Sequence, residues 1–174
     1  MADDIRVTVA ICTWNRAELL ELALERMARL VVPPDTWWEL VVVNNNSTDN
    51  TDKVLERFER RLPLRRVFEP MPGLSNARNT ALREAKGDYV LWTDDDVLVS
   101  EGWLGGFVES VRANPSASLY GGPIDAAFLV EPDAKLLAGF PILARGFCGL
   151  DEKLHRFQPH KSFDERRVLA MRQR

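Results

Sequence analysis

Between residues 89 and 97 the chain reads Tyr89-Val90-Leu91-Trp92-Thr93-Asp94-Asp95-Asp96-Val97. The apolar part predicts a buried strand, and three carboxylates follow it directly. Adjacent carboxylates repel one another, and burying an unpaired one costs several kcal/mol, so a cation or a set of donors should hold them. Because side chains alternate along a strand, Asp94 and Asp96 can share one hard cation through oxygen ligands. The alternative is a solvated acidic turn.

Working outward from this stretch, apolar strands alternate with amphipathic helices. Strands are predicted at residues 5–12, 38–43, 65–69 and 88–93, with a further short one at 117–120 and a short helix near the end. Alternating strands and helices imply right-handed βαβ units. The predicted fold class is therefore α/β, with a mostly parallel sheet flanked by helices in three layers.

Local signals mark the ends of the helices. Asn15, with Glu18 three residues later, fits a capping box at the start of the first helix, and Pro33-Pro34 should end it. Gly87 should close the helix that begins near Leu74.

Length and composition indicate one ordinary globular domain. The 174 residues are 45% hydrophobic and 28% charged, which is enough to bury a sizeable core. The apolar runs are far shorter than the roughly 20 residues of a membrane span, and the N-terminus is acidic where a secretory signal is basic. We therefore expect a cytoplasmic protein without a membrane span.

The charge distribution bears on partners. A net charge of −3 argues against a nucleic-acid partner. Residues 151–174 carry seven Lys or Arg and four Asp or Glu, which predicts a solvated basic tail or peripheral contact with an anionic membrane surface. Cys12 and Cys148 are too few and too far apart for a disulfide framework or metal cluster.

The polar residues collect where predicted strands end, and in open α/β sheets ligands bind at those ends. Trp14 offers an aromatic face, and Arg78 offers a guanidinium that can fork onto phosphate oxygens. Amide donors and acceptors come from Asn15, Asn44 and Asn46. With the carboxylates, which Mg²⁺ or Mn²⁺ can bridge to a pyrophosphate, this set suits a nucleoside diphosphate. No GxGxxG follows the first strand and no GxxxxGK[ST] occurs, which argues against dinucleotide oxidoreductases and P-loop enzymes.

Four ordered motifs resemble the nucleotide-sugar-binding half of family 2 glycosyltransferases, whose fold is the GT-A type. They are residues 9–16 (VAICTWNR), 41–51 (VVVNNNSTDNT), 73–79 (GLSNARN) and 93–96 (TDDD), the last being a DxD-type motif. The resemblance covers residues 5–125. It implies a metal-dependent, inverting transfer of a sugar from a nucleotide diphosphate, usually UDP, to an acceptor that is a sugar, a polysaccharide or lipid-linked.

The resemblance also implies roles for single residues. The loop Cys12, Thr13, Trp14, Asn15 and Arg16, together with Asn44, would hold the base and ribose. Asp94 would contact the ribose or the metal, and Asp96 would be a metal ligand for Mn²⁺ or Mg²⁺. Arg78 and Asn79 would lie near the diphosphate. The remaining candidates for nucleotide-sugar binding are Asn46, Ser47 and Asp95, although Ser47 and Asp49 are also suited to cap helices.

The catalytic base is not assigned by the resemblance. Inversion needs a carboxylate to deprotonate the acceptor hydroxyl, and nothing here resembles the family's base-bearing segment. The remaining candidates are Asp125, Asp151, Asp164 and Glu165. We therefore expect residues 1–125 to form the nucleotide-sugar-binding domain, and residues 126–174 to form a partial acceptor-side region with a basic tail.

We expect the chain to lack the base-bearing segment, and the apolar surface left uncovered would favour a homo-oligomer. The missing base favours one alternative function, a catalytically incomplete nucleotide-sugar-binding module. The other alternative is a nucleotidyltransferase, which also uses an α/β fold, carboxylates and Mg²⁺. A sugar-nucleotide pyrophosphorylase should have a glycine-rich loop after the first strand, and residues 13–18 contain no glycine.

Overall fold

A computed structural model describes residues 4–122, 135 and 169–172. In chain order the elements are β1 (Ile5–Thr13), α1 (Ala17–Met27), β2 (Thr36–Asn44), α2 (Thr51–Phe58), β3 (Leu64–Phe68), α3 (Leu74–Glu84), β4 (Tyr89–Trp92), α4 (Trp103–Ala113), β5 (Leu119–Tyr120) and β6 (Leu169–Arg172).

The strands form one sheet in the order β3-β2-β1-β4-β6-β5. The first four strands are parallel, with Val9 opposite Leu40 on one side and Leu91 on the other. β6 runs antiparallel to both β4 and β5. The predicted α/β class with a mostly parallel sheet is confirmed. The strand at residues 169–172 was not predicted, and the short helix expected near the end has no counterpart among the described residues.

The strand order places the helices in two layers. From β1 to β3 the chain moves in one direction across the sheet, and from β3 to β4 it moves back past two strands. Because such crossovers are right-handed, α3 must lie on the opposite face from α1 and α2. Strands are added on one side of β1 up to β3, and β4 is added on its other side. The boundary between β1 and β4 is therefore the switch point where ligands bind in open α/β sheets.

The face under α3 has a core of small and β-branched side chains. Ala77 and Ala81 of α3 pack with Ala10, Val41 and Val90, all fully buried. Small side chains let a helix approach a sheet closely, so α3 can pack tightly on this face. On the other face, the Tyr89 ring contacts the Phe107 ring of α4, with 5.7 Å between centroids.

The ends of α1 differ from the prediction. Asn15 has a positive φ of 52° and lies before the helix, and the N-cap residue is Arg16, without a side-chain cap of its own. The helix ends at Met27, well before Pro33, and the backbone N–H of Val31 donates to Glu101 O at 2.9 Å. The backbone N–H of Val31 thus pairs with a segment outside α1 and not with the last turn of helix that was predicted to extend to Pro33.

Gly87 has a different role from the predicted helix cap. The C-cap of α3 is Ala85 in an extended conformation, and Gly87 lies beside the backbone of β1. A Cβ atom at Gly87 would be 2.5 Å from Thr8 N and 2.7 Å from Val7 C. Only glycine permits this approach of the α3–β4 connection to β1.

The chain divides into two compact units. The first unit consists of Met1–Tyr120 together with Leu169–Arg174, and the second unit is Gly121–Val168. The helices and strands whose bounds are given above, which are those of residues 4–122 and 169–172, belong to the first unit. Within the described residues, no helix is both long and apolar enough to span a membrane.

Candidate functional site

A cavity of about 490 Å³ opens at the carboxyl ends of β1 and β4. Its walls come from the segment after β1, the end of β2, the start of α3 and the acidic run after β4. The lining residues are Cys12, Thr13, Trp14, Arg16, Asn45, Pro72, Gly73, Leu74, Ala77, Arg78, Asp94, Asp95 and Asp96. The cavity therefore lies at the switch point of the sheet.

Asp95 is the buried member of the acidic run, with 4% of its surface exposed. Thr13 Oγ1 donates to Asp95 Oδ2 at 2.8 Å, and Arg16 Nη1 donates to Asp95 Oδ1 at 3.1 Å. Burial raises the pKa of Asp95, and these two hydrogen bonds offset only part of that rise. The solvated-turn interpretation does not hold for this residue.

The other two carboxylates reach water. Asp96 Oδ2 accepts a hydrogen bond from Arg16 Nη1 at 3.1 Å, and its side chain is about half exposed. The Asp94 side chain is more exposed and lies 4.0 Å from Arg78 Nη2. The hydrogen bond to Asp95, followed by the charge of Asp95, raises the pKa of Arg16, which remains a cation.

The donor set fits a divalent cation shared with a substrate. The oxygen atoms of Asp95 and Asp96 converge on one positively charged nitrogen, and carboxylate oxygens are the ligands that Mg²⁺ and Mn²⁺ prefer. Within residues 4–122, 135 and 169–172, no group of three or more His, Cys, Asp or Glu side chains could hold a metal ion. Mg²⁺ in nucleotide sites usually takes one or two carboxylates and completes its shell with phosphates and water.

Asn45 fixes the wall opposite the acidic run. Its Nδ2 donates to Glu69 O at 3.1 Å and to Met71 O at 2.7 Å, and its Oδ1 accepts from Gly73 N at 2.8 Å. Gly73 has a φ of +129°, which side-chain-bearing residues rarely adopt, and α3 begins directly after it. The buried amide of Asn45 thus holds the turn that carries the start of α3 to the cavity.

Arg78 of α3 and Cys12 of β1 also line the cavity. The Arg78 guanidinium lies 5.9 Å from the centroid of the Trp92 ring and is half exposed. Burial, as the largest cause, raises the pKa of the Cys12 thiol to about 12. Cys12 is therefore a neutral wall residue and not a nucleophile at neutral pH.

The structure brings together eight of the candidate residues in this cavity. They are Cys12, Thr13, Trp14, Arg16, Arg78, Asp94, Asp95 and Asp96. The remaining candidates, Asn15, Asn44, Asn46, Ser47 and Asn79, are not among the residues that line it, so their part in binding stays a prediction.

Several of those remaining candidates have structural partners. Asn44 Nδ2 donates to Asp52 Oδ1 at 2.9 Å, and Asn44 Oδ1 accepts from Ser47 N at 2.8 Å. Asn15 Oδ1 accepts from Thr48 N at 2.7 Å, and Asn15 N donates to Ser47 Oγ at 3.0 Å. The two Asn15 bonds join the loop after β1 to the loop after β2.

Sequence reasoning missed five of the lining residues, which are Asn45, Pro72, Gly73, Leu74 and Ala77. For Asn45 a signal existed, because neighbouring residues at a strand end point to opposite sides and only one of Asn44 and Asn45 can face the α3 side. The four candidate base residues, Asp125, Asp151, Asp164 and Glu165, lie outside the described residues.

A protein-family model described as "Glycosyl transferase family 2" matches residues 8–156. The succinoglycan biosynthesis protein ExoM of Rhizobium meliloti (strain 1021) is 27% identical over 128 residues, which are 72% of this chain and 41% of that protein. Validoxylamine A glucosyltransferase of Streptomyces hygroscopicus subsp. limoneus is 34% identical over 109 residues, 62% of this chain and 23% of that protein. This chain thus spans less than half the length of these curated relatives.

Solved glycosyltransferases share the fold. S. aureus TarS 1–349 in complex with UDP superposes with a TM-score of 0.66 at 22% identity, over 74% of this chain and 38% of that one. Mannosyltransferase PcManGT from Pyrobaculum calidifontis, in complex with GDP-Man and Mn²⁺, has a TM-score of 0.58 at 31% identity, over 70% of this chain and 35% of that one. The expected GT-A type of fold is confirmed by these likenesses.

Proposed function

This chain belongs to glycosyl transferase family 2, and from that membership we propose that its cavity binds the nucleotide part of a nucleoside-diphosphate sugar. The chain would take part in transferring the sugar to an acceptor. The observation that carries the proposal is one cavity in which an exposed aromatic ring, a guanidinium and three carboxylates meet at the switch point of the sheet.

Each wall of the cavity matches one part of such a ligand. The Trp14 side chain is 61% exposed and offers a flat apolar face on which a base can stack. Arg78 and the N-terminal end of α3 favour the negative charge of a diphosphate. Support comes from TarS, solved in complex with UDP, and from PcManGT, solved in complex with GDP-Man and Mn²⁺.

We propose that a divalent cation, Mn²⁺ or Mg²⁺, joins the carboxylates to the diphosphate. The sequence predicts Asp94 and Asp96 as its ligands, and the convergence on Arg16 Nη1 favours Asp95 and Asp96. When bound, such an ion offsets the negative charge that develops on the leaving diphosphate. The contribution of this chain's own residues would be to hold the donor with its anomeric carbon accessible to the attacking hydroxyl of the acceptor.

Calorimetry with the purified chain tests the proposal. UDP should bind in the presence of Mn²⁺, and EDTA should weaken the binding, because the cation offsets the repulsion between the negatively charged carboxylates and phosphates. A parallel thermal-shift panel of UDP, GDP, CDP and dTDP identifies the base, since a ligand of the native state raises the melting temperature by mass action. Equal UDP affinity with and without Mn²⁺ would contradict metal dependence, and no binding of any nucleotide would contradict the proposal.

Asp96→Asn should weaken the UDP–Mn²⁺ complex at least tenfold, which is about 1.4 kcal/mol. Asp88→Asn is the matched control, because Asp88 is an exposed carboxylate just before the opposite end of β4. Asp94→Asn and Asp95→Asn then separate the two ligand sets. If only Asp94→Asn loses affinity for UDP–Mn²⁺, the metal ligands are Asp94 and Asp96. If only Asp95→Asn loses it, they are Asp95 and Asp96.

A further inference from the structure

Arg16 already places a positive charge where two carboxylates converge. Its Nη1 lies 3.1 Å from Asp95 Oδ1 and 3.1 Å from Asp96 Oδ2. Asp94 is not part of this arrangement, since its ion pair is with Arg78. One nitrogen therefore holds two neighbouring carboxylates that would otherwise repel each other.

The partners of Arg16 differ in how firmly they are held. The Asp95 side chain is only 6% exposed and is also fixed by Thr13, whereas the side chains of Arg16 and Asp96 are 51% and 47% exposed. Arg16 directly precedes α1, so its backbone is anchored while its long side chain reaches solvent. The guanidinium can leave the carboxylates without a change in the fold.

We propose that Arg16 is the resident counter-cation of this acidic run and competes with the divalent cation for Asp95 and Asp96. The inference rests on the metal-dependent nucleotide binding proposed above. Two positive charges at contact distance repel each other, so one position between these carboxylates accepts Arg16 or the metal ion but not both. Arg16 thus lowers the affinity of the site for a metal ion. When no metal ion is bound, its positive charge offsets the repulsion between the Asp95 and Asp96 carboxylates.

A Mn²⁺ titration, read by the electron paramagnetic resonance signal of free Mn²⁺, tests this with the full chain and saturating UDP. Arg16→Gln should bind Mn²⁺ about tenfold more tightly than wild type, because it removes the competing charge but keeps an N–H donor for Asp95. Arg16→Lys keeps the charge and should bind Mn²⁺ like wild type. Unchanged or weaker Mn²⁺ binding by Arg16→Gln would overturn the inference.

Arg57→Gln is the matched control for net charge. Arg57 is 58% exposed and pairs with Glu21 at 3.0 Å on the surface of α1 and α2. It removes the same formal charge, so its Mn²⁺ affinity should equal that of wild type. A gain as large as that of Arg16→Gln would mean that net charge alone sets the affinity, which would also overturn the inference.

A measurement on wild type does not depend on the folding of a variant. In ¹⁵N-detected NMR spectra, saturation with Mg²⁺ and UDP should move the Arg16 guanidinium signals toward those of a solvated arginine and leave the Arg57 signals in place. Unmoved Arg16 signals would overturn the inference while leaving the proposed function intact. If wild type binds UDP without binding a metal ion, metal dependence and this inference both fail, whereas nucleotide binding stands.

Discussion

Asp49 holds the N-termini of two helices with one carboxylate. Its Oδ2 accepts from Ala17 N at 2.9 Å at the start of α1, and its Oδ1 accepts from Thr51 N at 3.0 Å and from Thr51 Oγ1 at 2.5 Å at the start of α2. Neither helix has a side-chain cap from its own N-cap residue. This single residue therefore joins the two loops that carry Trp14 and Asn45 toward the cavity.

Asp49→Ala should lower the free energy of unfolding by about 1–4 kcal/mol, since it removes two caps and each lost cap costs about 0.5–2 kcal/mol. Asp49→Asn should lower the free energy of unfolding less than Asp49→Ala, because its amide oxygen can still cap one helix. Urea denaturation at pH 7 measures both. Glu56→Gln, at an exposed position of α2, controls for the loss of one negative charge and should match wild type.

The same carboxylate predicts a pH dependence. Partial desolvation, the largest cause, opposes ionisation, but the hydrogen bonds from Thr51 and Ala17 together outweigh it and lower the pKa of Asp49 below its usual value. A lowered folded-state pKa adds stability that is present above the ordinary Asp pKa and is lost as pH falls through the folded value. The stability of Asp49→Asn should therefore fall less steeply than that of wild type below about pH 4. Parallel pH profiles for the two proteins would contradict the assignment.

At the scale of elements, the end of α3 is fixed to the sheet by a buried polar network and a close backbone approach. Glu39 Oε1 accepts from Thr8 Oγ1 and from Lys86 N, both at 2.8 Å. Gly87 N donates to Thr8 Oγ1 at 2.9 Å. The position of α3 at the cavity thus depends on contacts at the opposite end of the sheet.

Gly87→Ala should destabilise the protein by about 1–3 kcal/mol or more, because the added Cβ would overlap backbone atoms of β1 that cannot move aside cheaply. The control is Gly105→Ala in α4, where the nearest atom to the new Cβ is Pro33 Cγ at an ordinary 3.7 Å. Gly105→Ala should stabilise by about 0.5–1 kcal/mol, as alanine favours helix. Thermal and urea unfolding of the two variants should therefore shift in opposite directions, and equal shifts would contradict the packing described here.

At the scale of the whole molecule, the sheet is extended past β4 by a strand distant in sequence. β6 lies between β4 and β5, with Ala170 opposite Leu91 on one side and Tyr120 on the other. Residues 169–172 therefore give β4 a partner on the side away from β1.

Ala170→Pro should destabilise the protein by about 1–3 kcal/mol, because proline removes an N–H from a strand paired on both sides and leaves an acceptor unsatisfied. Ala170→Ser keeps the N–H and serves as the control. Hydrogen exchange of the β4 amides should quicken in Ala170→Pro relative to this control. Identical β4 exchange in the two variants would show that residues 169–172 do not complete the sheet.

The sequence by itself determined the parallel part of the fold. Strands β1 to β4 are short apolar segments separated by helices with apolar faces, and such local periodicity needs no tertiary information to predict. It also indicated the place of the cavity, because Trp14, Arg78 and the residues 94–96 follow strands whose carboxyl ends meet at one edge. The short β6 lacks a periodic pattern and was missed.

Only the tertiary structure decided how neighbouring polar residues divide their roles. Asn44 and Asn45 are neighbouring residues of the same type. Asn45 accepts a hydrogen bond from Gly73 N at the cavity, whereas Asn44 donates one to Asp52. Asp95 is buried between Thr13 and Arg16, and Asp96 reaches solvent. The burial and the hydrogen-bond partners of these residues depend on segments that are far apart in sequence. Arg16, for example, is about 80 residues away from the carboxylates that it contacts. Local sequence carries no record of such contacts, because they form only when the crossovers bring the ends of β1 and β4 together.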